Sequence, residues 1–232
     1  MGEQIHILKG DPPVKVALRR SSRARRFTLR VSRASGKVTL SLPAFAPESE
    51  AIAFLDARAG WVRKHLDASP GPQGPRIGGE IPLEGQLRPI VAGAGRSARL
   101  VQGRIEVPAG QEGPKMLALI KQMARERLAA RVAHHAGALG RPYGRLTLRD
   151  TTSRWGSCTS RGDLMFSWRL VMAPPVVLDY VAAHEVAHLV EMNHSRAFWS
   201  ICQRLHPGYE APRDWLRQNG PELLAWRFDR LP

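Results

Sequence analysis

The sequence predicts an α+β protein: a β-rich N-terminal part over residues 1–113 with one amphipathic helix, then a helical part over residues 114–232 with a small sheet. Three observations carry this. Short β-branched runs separated by turn residues fill the first half, a helix-forming stretch opens at Pro114, and a nearly uniformly apolar stretch follows Pro174-Pro175.

In the first half, "VKVAL", "RFTLRV" and "KVTLSL" read as strands, the last two joined by a turn at Ala34-Ser35-Gly36. "PESEAIAFLDARAGWVRKHLDA" starts with Pro47 and two acids. It sets Ile52, Leu55, Ala59, Val62 and Leu66 at helical spacing, so it reads as one amphipathic helix. Residues 69–80, "SPGPQGPRIGGE", break regular structure. Weaker strands follow around Ile81 to Val91, then a hairpin turning at Gln102-Gly103, and "AGQEGP" marks a domain boundary at Pro114.

The second half opens with a long helix from Pro114, rich in Ala, Leu, Lys and Arg and stopped by Gly140 and Pro142. His134 and His135 near its end suit a capping or surface role, because adjacent helical residues point in different directions. Residues 144–174 read as two strands turning at Arg161-Gly162-Asp163. The apolar helix then runs on from Pro175, in a position where proline is tolerated.

The chain carries 232 residues, 43% of them hydrophobic, with a net charge of +15 and two cysteines. Cys158 and Cys202 stand far apart with no CxxC spacing, which excludes a disulfide framework and a thiolate zinc cage. No stretch of 18 apolar residues and no basic-then-apolar leader is present, so the expectation is a cytoplasmic protein that avoids membranes. Charge is concentrated: between Pro12 and Pro47 there is no acid, while Lys15, Arg19, Arg20, Arg23, Arg25, Arg26, Arg30, Arg33 and Lys37 supply nine positive charges. A solvated sheet face is the simpler reading, since Phe27, Leu29 and Val31 alternate with Thr28, Arg30 and Ser32. A landing patch for phosphate or nucleic acid is the alternative.

"AHEVAH" carries the chemistry. His184 and His188 are four residues apart, which sets two imidazoles on one face, one turn apart, with Glu185 one step round the helix. A helix apolar nearly all round is buried, and buried histidine and glutamate need partners. Two such imidazoles want a third ligand, leaving a further position for water. His194 reaches it if the helix ends first, with Asn193 in the left-handed conformation and Ser195 capping the next helix. Glu210 and Asp214 are the competing acids.

"TTSRWGSC" (151–158), "MFSWRLVMAP" (165–174), "LDYVAAHEVAHLVEMNHSRAFW" (178–199) and "PGYEAPRDWL" (207–216) come in an order and spacing that resemble the YgjP-like metallopeptidase family. "VKVALRRSSRARRFTLRV" and "AGWVRKHL" resemble that family's opening, whereas residues 69–113 match least. The resemblance implies a zincin-like catalytic core, zinc on His184, His188 and His194, one ion per chain, and Glu185 as the catalytic glutamate. Another divalent transition metal would suit the same ligands. The HExxHxxxxxH spacing is shared with metzincins, but Glu191 stands where they carry glycine.

The expected reaction is hydrolysis by a metal-activated water, with Glu185 as general base. Arg154 and then Tyr180 are the candidates to stabilise a developing oxyanion; for Arg154 the competing role is an ion pair with Asp150 or Asp179. The backbone of Trp155, Gly156 and Ser157 is the candidate edge strand for an extended peptide. Trp155, Trp168, Phe198 and Trp199 read as core side chains, and Cys158 has no base that would make it a nucleophile. The alternative substrate is a nucleotide or other phosphate ester. A nucleic-acid-associated protein with a structural metal is the weakest reading, because structural zinc sites are closed four-ligand cages.

Overall fold

A computed structural model describes residues 4–32, 35–67 and 73–229. The chain divides into two compact units, residues 1–73 and 74–232, and the fold is α+β in both.

In the first unit, strands β1 (Gln4–Leu8), β2 (Val14–Ser21), β3 (Thr28–Val31) and β4 (Val38–Pro43) form one sheet in the order β1-β2-β4-β3, with β2 and β4 parallel and the outer pairs antiparallel. Thr28 and Arg30 face solvent while Leu29 and Val31 pack inward, as their alternation requires. Ala34 of the expected β3–β4 turn lies outside the described residues. β1 was not anticipated: it is an edge strand whose Ile5 and Ile7 remain exposed, so no buried apolar face marks it.

The single helix expected over residues 47–68 is two, α1 (Glu48–Asp56) and α2 (Ala59–Asp67). The N–H of Arg58 donates to Leu55 three residues back, a tight closure that ends α1, and the N–H of Val62 then donates to Arg58 to begin α2. The break lets Ala51 and Leu55 from one helix and Val62 from the other reach the same core as Leu8, Val16, Leu40 and Leu42.

The second unit holds a sheet of β5 (Glu80–Leu83), β6 (Gln86–Ala92), β7 (Arg99–Val101) and β8 (Arg104–Val107), ordered β5-β6-β8-β7. Glu84-Gly85 and Gln102-Gly103 both take positive φ at both residues, the geometry that two-residue hairpins demand. Ile81, Leu83, Ile90, Ile105 and Val107 share a core with Met116 and Ile120 of α3 (Glu112–Leu139). By contact, these strands therefore belong with the C-terminal helices and not with residues 1–73. Pro114 is the third residue of α3, where its missing N–H has no intrahelical partner to lose, so a proline there does not mark a gap between units. Gly140 ends α3 at φ +65°, as expected.

Residues 144–174 give three strands where two were expected: β9 (Leu146–Arg149), β10 (Gly156–Cys158) and β11 (Leu164–Ser167). β10 and β11 form the antiparallel hairpin, β9 pairs with β11 in parallel, and β10 lies at the sheet edge. A 3-10 turn, Trp168–Met172, leads into α4 (Pro175–Ala187), followed by α5 (Arg196–Leu205) and α6 (Glu210–Ala225). No described helix is long and apolar enough to cross a membrane.

Candidate metal centre

α4 is buried along most of its length through Val177, Leu178, Val181, Ala182, Ala183 and Val186, so the polar groups it carries face other elements. The helix ends at Ala187 with His188 as its cap residue. Asn193 does not supply a left-handed turn: among the described residues only Glu84 and Gln102 take positive φ without being glycine. Asn193 instead accepts the N–H of Ser195 on its Oδ1 at 2.9 Å, and Ser195 Oγ accepts the N–H of Phe198 at 3.3 Å to cap α5. Two short-range side-chain bonds thus shape the turn and start the next helix, and His194 comes back toward α4.

The outcome is a convergent set of three ring nitrogens. One nitrogen from each of His184, His188 and His194 lies within 4.8 Å of the others, and Nε2 of His194 stands 3.1 Å from Nε2 of His184. Tetrahedral ligands about 2.05 Å from zinc would lie about 3.3 Å apart, so the pair is already at ligand spacing. His188 Nδ1 donates to the carbonyl of Glu191 at 2.9 Å, which fixes the tautomer that presents Nε2 as an acceptor. Burial, followed by His188, His194 and Arg213, holds His184 down at about 3, so its ring is neutral and able to ligate. Three imidazoles sharing a small space, one of them oriented from behind by a carbonyl, fit a divalent transition metal. Glu210 and Asp214 are not in the group; Asp214 pairs with Arg217 on the exposed face of α6.

Glu185 is 5% exposed, and burial raises its carboxyl to about 8 against the opposing charge of Arg154. A dication held by the histidines would reverse that preference and favour the carboxylate. β10 is what confines Glu185. A Cβ built on Gly156 would come 2.5 Å from Glu185 Oε1 and 2.6 Å from its Cγ, so only glycine lets the strand backbone lie against this carboxyl. Gly156→Ala is expected to displace Glu185 and cut turnover at least tenfold with metal content unchanged, checked by steady-state kinetics beside metal analysis.

The other expected residues sort clearly. Arg154 is exposed and is not paired with Asp150 or Asp179: Asp150 is held by Arg169 and Asp179 by Arg131, leaving Arg154 to act on Glu185 through its charge. The Tyr180 hydroxyl lies 3.4 Å from Nδ1 of His184, on the opposite side of the ring from Nε2, a place for orienting that ligand. Burial keeps this phenol protonated far above its ordinary range. The ring of Trp155 is turned onto α6, where a Cβ on Gly220 would meet it at 2.8 Å, so only its backbone borders the site. Ser157 is half-buried on β10, opposite Met165. Trp168 and Phe198 are core, as expected. Burial, then Glu185 and Asp163, pushes the Cys158 thiol up to about 11, which removes it as a nucleophile.

Two features escaped the sequence reading. Arg213, exposed on α6, lies with its guanidinium 4.7 Å over the Trp199 ring, close enough to His184 to oppose its protonation. His135 is not a surface residue. It is buried and bonds Asp179 Oδ1 at 2.6 Å, while Arg131 Nε and Nη2 grip the same carboxylate at 2.6 and 3.0 Å. This anchors α3 to α4 at the residue just before Tyr180, a little over one turn ahead of His184. The signal was present in the i, i+4 spacing of Arg131 and His135, but it needed Asp179 from another helix to give it meaning.

Burial alone would raise Asp179; the hydrogen bonds from His135 and Arg131 overcome this and bring it from 3.8 to about 2. A depressed folded-state value contributes stability that is present above about pH 4 and lost as pH falls through about 2. Asp179→Asn is expected to lower stability at pH 7 by on the order of 2 kcal/mol and to change it little near pH 2, read from urea unfolding at the two pH values.

The model of the YgjP-like metallopeptidase domain matches residues 25–219. The chain belongs to this YgjP-like family. No curated protein matches it. Among solved structures, it is similar to the metallopeptidase zymogen abylysin of Pyrococcus abyssi, at 19% identity and a TM-score of 0.34, over 40% of this chain and 93% of that one. Membership of a YgjP-like metallopeptidase family accords with three histidines able to hold a metal beside a buried glutamate.

Proposed function

We propose that this YgjP-like protein is a zinc-dependent peptidase. The observation that carries the reading is the convergence of His184, His188 and His194 beside Glu185, against an edge strand. His184, His188 and His194 would hold a divalent ion, which would supply Lewis acidity to a water, lowering its pKa toward about 7, and to the substrate carbonyl. Glu185 accepts the proton of the attacking water and returns it to the leaving amine. Gly156 sets the position of that carboxylate, and Tyr180 and the Glu191 carbonyl orient His184 and His188 from behind. The open side of β10 offers main-chain groups to an extended peptide, placing a scissile bond alongside Glu185. Arg154 lends positive charge where the oxyanion develops.

A second reading has its own support. Arg154 and Arg213 are exposed and form no ion pair among the described residues, and both act electrostatically on the site. Two guanidiniums at one centre suit a phosphate ester. One screen separates the readings: zinc-loaded protein and Glu185→Gln are assayed on casein-like peptides, nucleoside triphosphates and short DNA. Peptide cleavage lost in the variant supports the peptidase, and phosphate release lost in the variant replaces it with the second reading.

A further inference from the structure

A groove in the first unit has no part in the chemistry above. About 790 Å³ in volume, it runs between β3 and the helices α1 and α2, and its walls include Arg25, Arg26, Arg58, Phe27, Phe54 and Trp61. Its size is that of a ligand pocket, and its composition is specific. Phe27 and Phe54 pack ring to ring at 5.3 Å, and the Arg58 guanidinium lies 3.8 Å over the Phe54 ring. Trp61 is 42% exposed and packs on His65 with ring centroids 4.0 Å apart. Arg25 and Arg26 are exposed and form no hydrogen bond or ion pair among the described residues. Glu50 is the one acid on the groove wall.

Beside the groove the chain displays an apolar side chain to solvent. Phe45 is 99% exposed, between Ala44 and Ala46. The bend that projects it is held: Arg20 Nη1 donates to the carbonyls of Ala44 at 3.0 Å and Ala46 at 2.8 Å. A fully exposed phenylalanine on a tethered loop is not explained by packing in this unit. Pro43 and Ala46, on either side of it, line the groove.

We propose that this groove binds single-stranded nucleic acid, with Arg25, Arg26 and Arg58 on the phosphates and the exposed rings of Phe45 and Trp61 as stacking faces for the bases. Alternating cations and aromatic faces match a strand that presents one charge and one flat ring per nucleotide. Duplex DNA hides its ring faces and could use only the cations. The Arg30 side chain, exposed on β3 two residues beyond the groove-lining Thr28, extends the positive track. This inference does not depend on the peptidase reading, since every residue it uses lies in residues 1–73.

The test uses the full-length, zinc-loaded protein and fluorescein-labelled 12-mers of uridine and of thymidine, followed by anisotropy, with a 12-base-pair duplex and a polyglutamate peptide as competitors. Both strands are expected to bind, with a log–log salt slope of about −2, as three phosphate contacts on a single strand give. The tighter of the two names RNA or DNA as the source. Arg25→Glu with Arg26→Glu should weaken binding at least tenfold and flatten that slope; Phe45→Ala, which removes a side chain with no packing role, should weaken it several-fold. Glu185→Gln should bind as the parent does. No binding to either 12-mer, a double variant that binds unchanged, or displacement of the strand by duplex or polyglutamate at equal concentration would overturn the proposal. Circular dichroism of the double variant, expected to match the parent, separates lost binding from lost folding.

Discussion

Glu185→Gln is expected to reduce kcat by about 10²–10⁴ while the protein keeps its metal and its fold. The amide matches the carboxylate in size, so it occupies the space bounded by Gly156 without the clash that a larger side chain would make. It cannot take a proton from water at neutral pH, and proton transfer is the step assigned to this residue. The three imidazoles are untouched, so metal content should stay at one ion per chain by elemental analysis. A variant that keeps more than a tenth of parental turnover would remove Glu185 from the mechanism; one that loses metal together with activity would make it a ligand or a structural support.

His194→Ala should have the second large effect, on binding. His194 sits in the turn between α4 and α5 and is exposed, so its loss should change the stability of the metal-free protein by no more than about 0.5 kcal/mol. In the parent, zinc should raise the melting temperature because it binds the folded state alone. With two imidazoles left on α4, that rise should vanish, and dialysis against a weak chelator should strip the ion. A variant that still melts higher with zinc would point to another third donor.

Much of the centre could be read from sequence because it is local. His184, Glu185 and His188 lie on one helical turn, and periodicity fixes their directions; His194 follows within ten residues of His184, and only the turn chemistry was misassigned, with Asn193 acting through its side chain and not through its own φ. What stayed hidden is non-local. The contact of Gly156 with Glu185 joins β10 to α4, the grip of Arg131 and His135 on Asp179 joins α3 to α4, and Arg213 arrives from α6. No spacing rule reaches across those separations.

The same distinction holds for the fold. Apolar periodicity located most elements, but it does not register a hydrogen bond that closes one residue early, as at Arg58, so α1 and α2 read as one helix. Nor does it mark β1, whose outward face stays wet, or say that β5 to β8 share a core with α3. Breaker residues at Pro114 drew a boundary because proline interrupts most structure, yet the first turn of a helix is where proline costs least.

Zinc K-edge X-ray absorption on the zinc-loaded parent protein tests the centre most directly. Three imidazole nitrogens and one oxygen at about 2.0–2.1 Å are expected, with the multiple-scattering pattern of histidine and no sulfur shell. A sulfur shell near about 2.3 Å, fewer than three imidazoles, or protein that holds no stoichiometric metal would contradict a catalytic ion held by His184, His188 and His194.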